Sequence, residues 1–179
     1  MPRLFTCIWL PEDVKSNVIK FQNEIKKLPI KAKFVEPENI HITITFIGEL
    51  NENKIKDLIE KINSITNDFT KIKIELEGLK LLPNENFIRV IGIDVKNNEE
   101  LKKLIKNIGN CTKSKFYEST KLTLCRVKNI YNKNLLKNFI EKNRYIKIGS
   151  FEVKEISLVE SILGRDGPTY KIIHKFELL

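Results

Sequence analysis

The strongest constraint on how this chain can fold is that one order of segments occurs in it twice. Leu4 to Leu10 is a compact apolar run closed by Pro11, which suits a buried strand. Pro11-Glu12-Asp13 then opens a helix, with Val14, Val18, Phe21, Ile25 and Leu28 at helical spacing and Pro29 beyond them. A connector containing Glu36-Pro37-Glu38-Asn39 leads to a strand from Ile40 to Phe46, which Gly48 is expected to break. Ile55, Leu58, Ile59, Ile62 and Ile65 mark a second amphipathic helix, and Ile72, Ile74 and Leu76 alternate with Lys73 and Glu75 as a half-buried strand. The order then recurs: a strand over Phe87 to Val95, a helix carrying Leu101, Leu104, Ile105 and Ile108, a strand from Lys121 to Val127, a helix carrying Leu135, Leu136, Phe139 and Ile140, and strands from Ile146 onward. The last two, Glu155 to Leu163 and Tyr170 to Leu178, flank the turn-forming Gly164-Arg165-Asp166-Gly167-Pro168.

No linker composition separates the two copies. The expectation is therefore one α+β domain over residues 1–179. It would have two pseudo-symmetric lobes (1–84 and 85–179, the terminal segments open to exchange between them), each an antiparallel sheet with outer helices, around a central cleft. A chain of 179 residues is long enough to bury a sizeable core.

Charge narrows the class of partner. A formal net charge of +9 suits a polyanion such as RNA, although a lysine-rich surface is also simply a solvated one. The three cysteines Cys7, Cys111 and Cys125 have no CxxC spacing, which fits a reducing, cytoplasmic compartment. No apolar run approaches the roughly 18 residues of a membrane span. Two histidines and no nearby cysteine pair make a poor zinc set, and no glycine-rich phosphate loop is present.

The chemistry concentrates in two strands. Side chains alternate along a strand, so in His41-Ile42-Thr43-Ile44-Thr45-Phe46 the residues His41, Thr43 and Thr45 are expected on one face and Ile42, Ile44 and Phe46 on the core face. At the matching place in the second copy stands Lys121-Leu122-Thr123-Leu124-Cys125-Arg126, with Lys121 and Thr123 on one face. Strict alternation would turn Arg126 into the core, so a bulge or the strand end has to release it. If the polar faces meet, an imidazole, an ammonium and two hydroxyls converge into a phosphate site. An isolated His-x-Thr is also what an ordinary strand can show, so the case rests on the pairing. His174 is expected on a solvent-facing strand position.

Pro37-Glu38-Asn39-Ile40-His41-Ile42-Thr43 with Phe46-Ile47-Gly48 resembles the first motif of the 2H phosphoesterase superfamily, in particular the RNA 2',3'-cyclic phosphodiesterases once called 2'-5' RNA ligases. Thr123-Leu124-Cys125-Arg126-Val127 resembles the second motif. Ser161-Ile162-Leu163, Gly167-Pro168-Thr169-Tyr170 and Phe176-Glu177-Leu178 resemble the closing hairpin, so the likeness runs over nearly the whole chain. The resemblance implies hydrolysis of a terminal 2',3'-cyclic phosphate to a 2'-phosphate without metal or other cofactor, with 2'-5' joining of RNA ends as the reverse reaction. It implies RNA ends, tRNA among them, as partner and a monomer as the working unit. It assigns His41 as proton donor to the departing 3'-oxygen, and Thr43 and Thr123 as holders of the phosphate oxygens. Arg126 is a candidate phosphate ligand, and Lys113 and Lys115 are candidates for the RNA backbone.

One position departs from the family pattern. The second motif begins there with histidine, the proton acceptor, and here with Lys121. A lysine at its ordinary pKa is neutral in only about one molecule in 2500 at pH 7. Lys113, Lys115 and Arg126 are expected to push that pKa down and a bound phosphate to push it back. On this reading Lys121 stays charged and clamps phosphate, hydrolysis is slowed, and Lys121→His raises the rate. The competing expectation is a protein that binds RNA or cyclic phosphate but has lost the chemistry.

Overall fold

The first strand, β1 (Arg3–Trp9), is apolar at successive positions because both its faces are covered. In this computed structural model, residues 1–96, 99–116 and 120–179 are described, Lys115 by its backbone alone. Helix α1 (Glu12–Lys26) starts behind Pro11, with Glu12 and Asp13 against the positive end of its dipole, and buries Val14, Val18, Phe21, Gln22 and Ile25. Then come β2 (Ile30–Phe34), a 3-10 turn at Pro37–Asn39, β3 (His41–Glu49), a 3-10 turn at Glu52–Lys54, α2 (Ile55–Thr66) and β4 (Ile72–Asn84). The rest is β5 (Phe87–Val95), α3 (Glu99–Thr112), β6 (Lys115–Phe116), β7 (Lys121–Ile130), α4 (Lys133–Asn143), β8 (Lys147–Val153), β9 (Glu155–Gly164) and β10 (Gly167–Glu177).

These strands form a curled antiparallel sheet in the order β10-β9-β1-β3-β7-β5-β4-β8, with β2 alongside β7 and β6 alongside β3. It has two halves, β10-β9-β1-β3 and β7-β5-β4-β8, so the closing hairpin lies beside β1 and β4 lies with β5 and β8. Helices α2 and α3 pack on each other and against β10 and β3, whereas α1 packs against β7 and β8 and α4 against β4. The fold class is α+β and two-lobed. Among the described residues no helix is long and apolar enough to cross a membrane.

The lobes are joined where β3 meets β7 through the pair Ile42 and Leu122. Beyond that pair the two strands splay and each takes another partner. β2, which precedes β3, pairs with β7 from Ile30↔Ile130 to Phe34↔Cys125; β6, which precedes β7, pairs with β3 at Thr45↔Phe116 and Phe46↔Lys115. The segment before each motif strand thus props open the other one.

Three details differ from the sequence expectation. Ile30–Phe34 is a strand rather than connector; its Ile-Lys-Ala-Lys-Phe alternation is weak because only small or partly exposed residues occupy its apolar positions. Gly48 does not end β3. It sits inside the strand at φ +86°, a conformation glycine adopts without strain, and the ladder to β1 continues to Glu49. His174 is half-buried with its ring 4.8 Å from that of Phe176, not turned fully to solvent.

Candidate active site at the junction of the two lobes

Antiparallel pairing at Ile42↔Leu122 sets the register of the polar residues around it. Continued by one residue, it puts His41 beside Thr123 and Thr43 beside Lys121. All four line one cavity of about 240 Å³, together with Val35, Asn39, Ile44, Phe46, Thr120, Arg126 and Tyr170. The motif strands do not confront each other from separate sheets; they lie side by side on the concave face of one sheet. Ile42 and Leu122, wholly buried, anchor that arrangement from the opposite face.

Both strands carry a bulge after their threonine. In β3, Cys7 pairs with Thr43 but Thr6 with Thr45, so Ile44 is the extra residue. In β7, Gly92 pairs with Thr123 but Ile91 with Cys125, so Leu124 is the extra residue. A bulge reverses which residues face the concave side, and this corrects two expectations. Thr45 is buried and its hydroxyl shares a 2.7 Å hydrogen bond with that of Thr6, away from the cavity. Phe46, expected in the core, is 53% exposed and lines the cavity. The same device brings Arg126 out beside Lys121 and Thr123. Gln22 holds the second bulge: its buried Nε2 donates to the carbonyls of Leu124 (3.0 Å) and Val35 (3.1 Å). That role had one sequence signal, a glutamine on the apolar stripe of α1.

The chemical state of His41 follows from its neighbours. Its Nδ1 lies 2.6 Å from the Asn39 carbonyl oxygen, which only accepts, so Nδ1 carries a proton and donates it. Nε2 then lies 2.9 Å from the Thr43 hydroxyl, at the cavity. The ring packs against Phe5 (5.2 Å between centroids), Trp9 (5.7 Å) and Tyr170 (5.3 Å), a small second core on the concave side of β1 and β9. Burial lowers the His41 pKa, opposed in part by the bond to Asn39. The Asn39 side chain donates to the Pro168 carbonyl at 2.9 Å, tying the closing hairpin to this corner.

Lys121 is half-buried, and burial first, then Arg126 and Lys80, lower its pKa. Lys80 was not singled out by the sequence. It pairs with Gly92, which pairs with Thr123, so no side chain of the intervening strand stands between them. The expected contributors were Lys113, Lys115 and Arg126. Of these Arg126 bears on Lys121; Lys113 is exposed and outside the described cavity lining, and the expectation for Lys115 falls on a side chain outside the described residues. Burial pushes the thiol of Cys7 far up and that of Cys125 up to about 11, so neither is a thiolate at neutral pH. A larger cavity of about 490 Å³ adjoins the site, sharing Val35, Asn39 and Arg126 and reaching Lys33, Glu36, Glu38 and Asp166.

A two-lobed sheet with a His-x-Thr strand and its near-copy side by side defines a phosphoesterase of the 2H superfamily. The family model described as LigT like Phosphoesterase matches residues 8–92. The chain is 39% identical to the RNA 2',3'-cyclic phosphodiesterase of Methanocaldococcus jannaschii, over 97% of this chain and 99% of that protein. It is 33% identical to the protein of the same name from Archaeoglobus fulgidus, over 98% and 99%. The crystal structure of TT0787 of Thermus thermophilus superposes with a TM-score of 0.80 at 23% identity, covering 98% of this chain and 97% of that one. Escherichia coli LigT complexed with 3'-AMP gives 0.75 at 20% identity, covering 99% and 98%. This chain belongs to the LigT-like phosphoesterase family.

Proposed function

We propose that the protein is an RNA 2',3'-cyclic phosphodiesterase that opens a terminal cyclic phosphate to a 2'-phosphate without a metal ion. The observation that carries this reading is the polar quartet His41, Thr43, Lys121 and Thr123 on one concave face, with Arg126 at its rim. A phosphate ester anion entering it meets two hydroxyl donors and two cations, the set that stabilises charge growing on non-bridging oxygens. Among the described residues lining this cavity there is no Asp or Glu, so the donor set suits an anion and is poor for a divalent cation. His41 and Lys121 are the pair that moves protons, Thr43, Thr123 and Arg126 hold the phosphate, and the adjoining cavity leaves room for the rest of the nucleotide. Lys113 and Lys115 contact the RNA backbone. RNA ends, including those of tRNA, are the substrates, and 2'-5' joining is the reverse of the same displacement.

The test is turnover of an oligonucleotide ending in a 2',3'-cyclic phosphate with excess EDTA. Product is expected from the wild type and none from His41→Ala. If neither the wild type nor Lys121→His forms product, the enzymatic reading is wrong. Tight, salt-sensitive binding without product would then identify a binding protein.

A further inference from the structure

Resting on that reading, we propose that this chain runs the displacement with the two proton-transfer roles exchanged: His41 is the general base that takes the proton of the attacking water, and Lys121 is the general acid that protonates the departing ribose oxygen. The resemblance implies the opposite direction, with His41 as donor and the residue at 121 as acceptor.

The hydrogen bonds of His41 set its tautomer. The Asn39 carbonyl holds a proton on Nδ1 and leaves Nε2 as the ring atom at the cavity, where the Thr43 hydroxyl donates to its lone pair. The ring is walled by Phe5, Trp9 and Tyr170. Among the described residues, the charged side chains that line its cavity are the cations Lys121 and Arg126. Apolar walls and cationic neighbours favour the neutral ring, outweighing the Asn39 bond that favours the charged one. A neutral imidazole with its lone pair at the cavity is a base.

Proton counting then excludes a large effect of pH on the choice. Either direction of transfer needs one transferable proton shared between the two groups, so the two arrangements differ only in where that proton sits. Their ratio depends on the difference between the two pKa values and not on pH. With ordinary values of about 6.5 and about 10.4, neutral His41 with charged Lys121 is favoured roughly 10⁴-fold. Burial lowers both groups, so the two shifts work against each other in that difference.

Geometry supplies the third part. In the register set by Ile42 and Leu122, His41 and Lys121 occupy one diagonal of the quartet and Thr43 and Thr123 the other. A phosphorus held by the threonines has His41 on one side and Lys121 on the opposite side, as an in-line displacement requires. The Thr43 hydroxyl turns from Nε2 to a phosphate oxygen as substrate enters, which frees the lone pair for water. Nε2 accepts a water proton while the hydroxide oxygen bonds to phosphorus; the bond from phosphorus to the 3'-oxygen breaks, and that oxygen takes a proton from Nζ of Lys121. The products are a 2'-phosphate and a 3'-hydroxyl. Solvent then carries the extra proton from His41 back to Lys121.

Because the two assignments have the same proton count, a pH profile does not separate them. A leaving group that needs no acid does. The probe is a 2',3'-cyclic phosphate in which the bridging 3'-oxygen is sulfur, assayed in EDTA beside the all-oxygen substrate. Lys121→Met and Lys121→Arg are expected to lose at least about 100-fold on the oxygen substrate and to recover to within about tenfold of wild type on the sulfur substrate. His41→Ala and the space-filling His41→Gln are expected to stay impaired on both. Recovery of the His41 variants instead of the Lys121 variants would restore the direction implied by the family. Recovery of neither would make Lys121 a clamp for charge only. A wild type inactive on the oxygen substrate would remove the function itself, and this inference with it.

Discussion

The bulge at Leu124 is what exposes Arg126, and Gln22 is the side chain that satisfies it, so Gln22→Met tests whether a helix outside the cavity sets the geometry inside it. Methionine keeps the length and apolar volume and removes both donors. The Leu124 carbonyl retains the Val35 N–H at 3.0 Å. The part-buried Val35 carbonyl loses its Gln22 donor, and a hydrogen bond of this kind contributes about 0.5–1.5 kcal/mol. For a chain of this length that corresponds to a fall in Tm of roughly 2–4 °C per kcal/mol. Ile25→Val, at a wholly buried position on the same helix, serves as a control, with a packing loss of about 0.5–1.5 kcal/mol and no bond to the bulge. Both variants are assayed well below their Tm on cyclic-phosphate RNA. Gln22→Met is expected to lower kcat/KM about tenfold, equivalent to about 1.4 kcal/mol of lost transition-state stabilisation, and Ile25→Val to leave it within twofold. If Gln22→Met loses stability but keeps kcat/KM within twofold, the bulge holds itself and the reasoning is refuted.

Other outcomes follow from the same geometry. Thr45→Val leaves the buried Thr6 hydroxyl unpaired and is expected to cost about 1–3 kcal/mol in urea unfolding, whereas Thr6→Val with Thr45→Val approaches neutrality; turnover stays unchanged in both because this pair faces away from the cavity. Gly92→Ala puts a Cβ 2.6 Å from the Leu122 carbonyl oxygen, and backbone is slow to yield, so a loss of about 1–3 kcal/mol and a drop in activity are expected. Lys80→Ala removes one of the charges that lower the Lys121 pKa. That pKa rises, and the alkaline limb of kcat/KM against pH moves upward; a limb that stays put excludes Lys80 from the site. In unfolding, the lowered pKa of Lys121 means the unfolded chain holds more protons between the folded pKa and about 10.4, so stability increases with pH across that window. Lys121→Met is expected to flatten that part of the stability curve.

Much of this molecule is readable along the chain because its causes are local. Helical spacing of Val14, Val18, Phe21 and Ile25, and the alternation of Ile72, Ile74 and Leu76 with charged residues, report burial on one face, and burial is what those elements provide. The duplicated order of segments announces a two-lobed α+β fold for the same reason. The pair His41 and Thr43 with Lys121 and Thr123 is visible because a two-residue period survives as far as the threonines. Beyond them it fails, and Thr45, Phe46 and Arg126 are read correctly only with the bulges known. A bulge is a relation between two strands, here β3 with β1 and β7 with β5, and neither strand specifies it alone. The tertiary structure likewise decided that Gln22 and Lys80 belong to the site's surroundings and that the Asn39 carbonyl selects the tautomer of His41. Composition and periodicity encode which residues leave water; which backbone groups they meet depends on chain segments brought together only when the sheet closes.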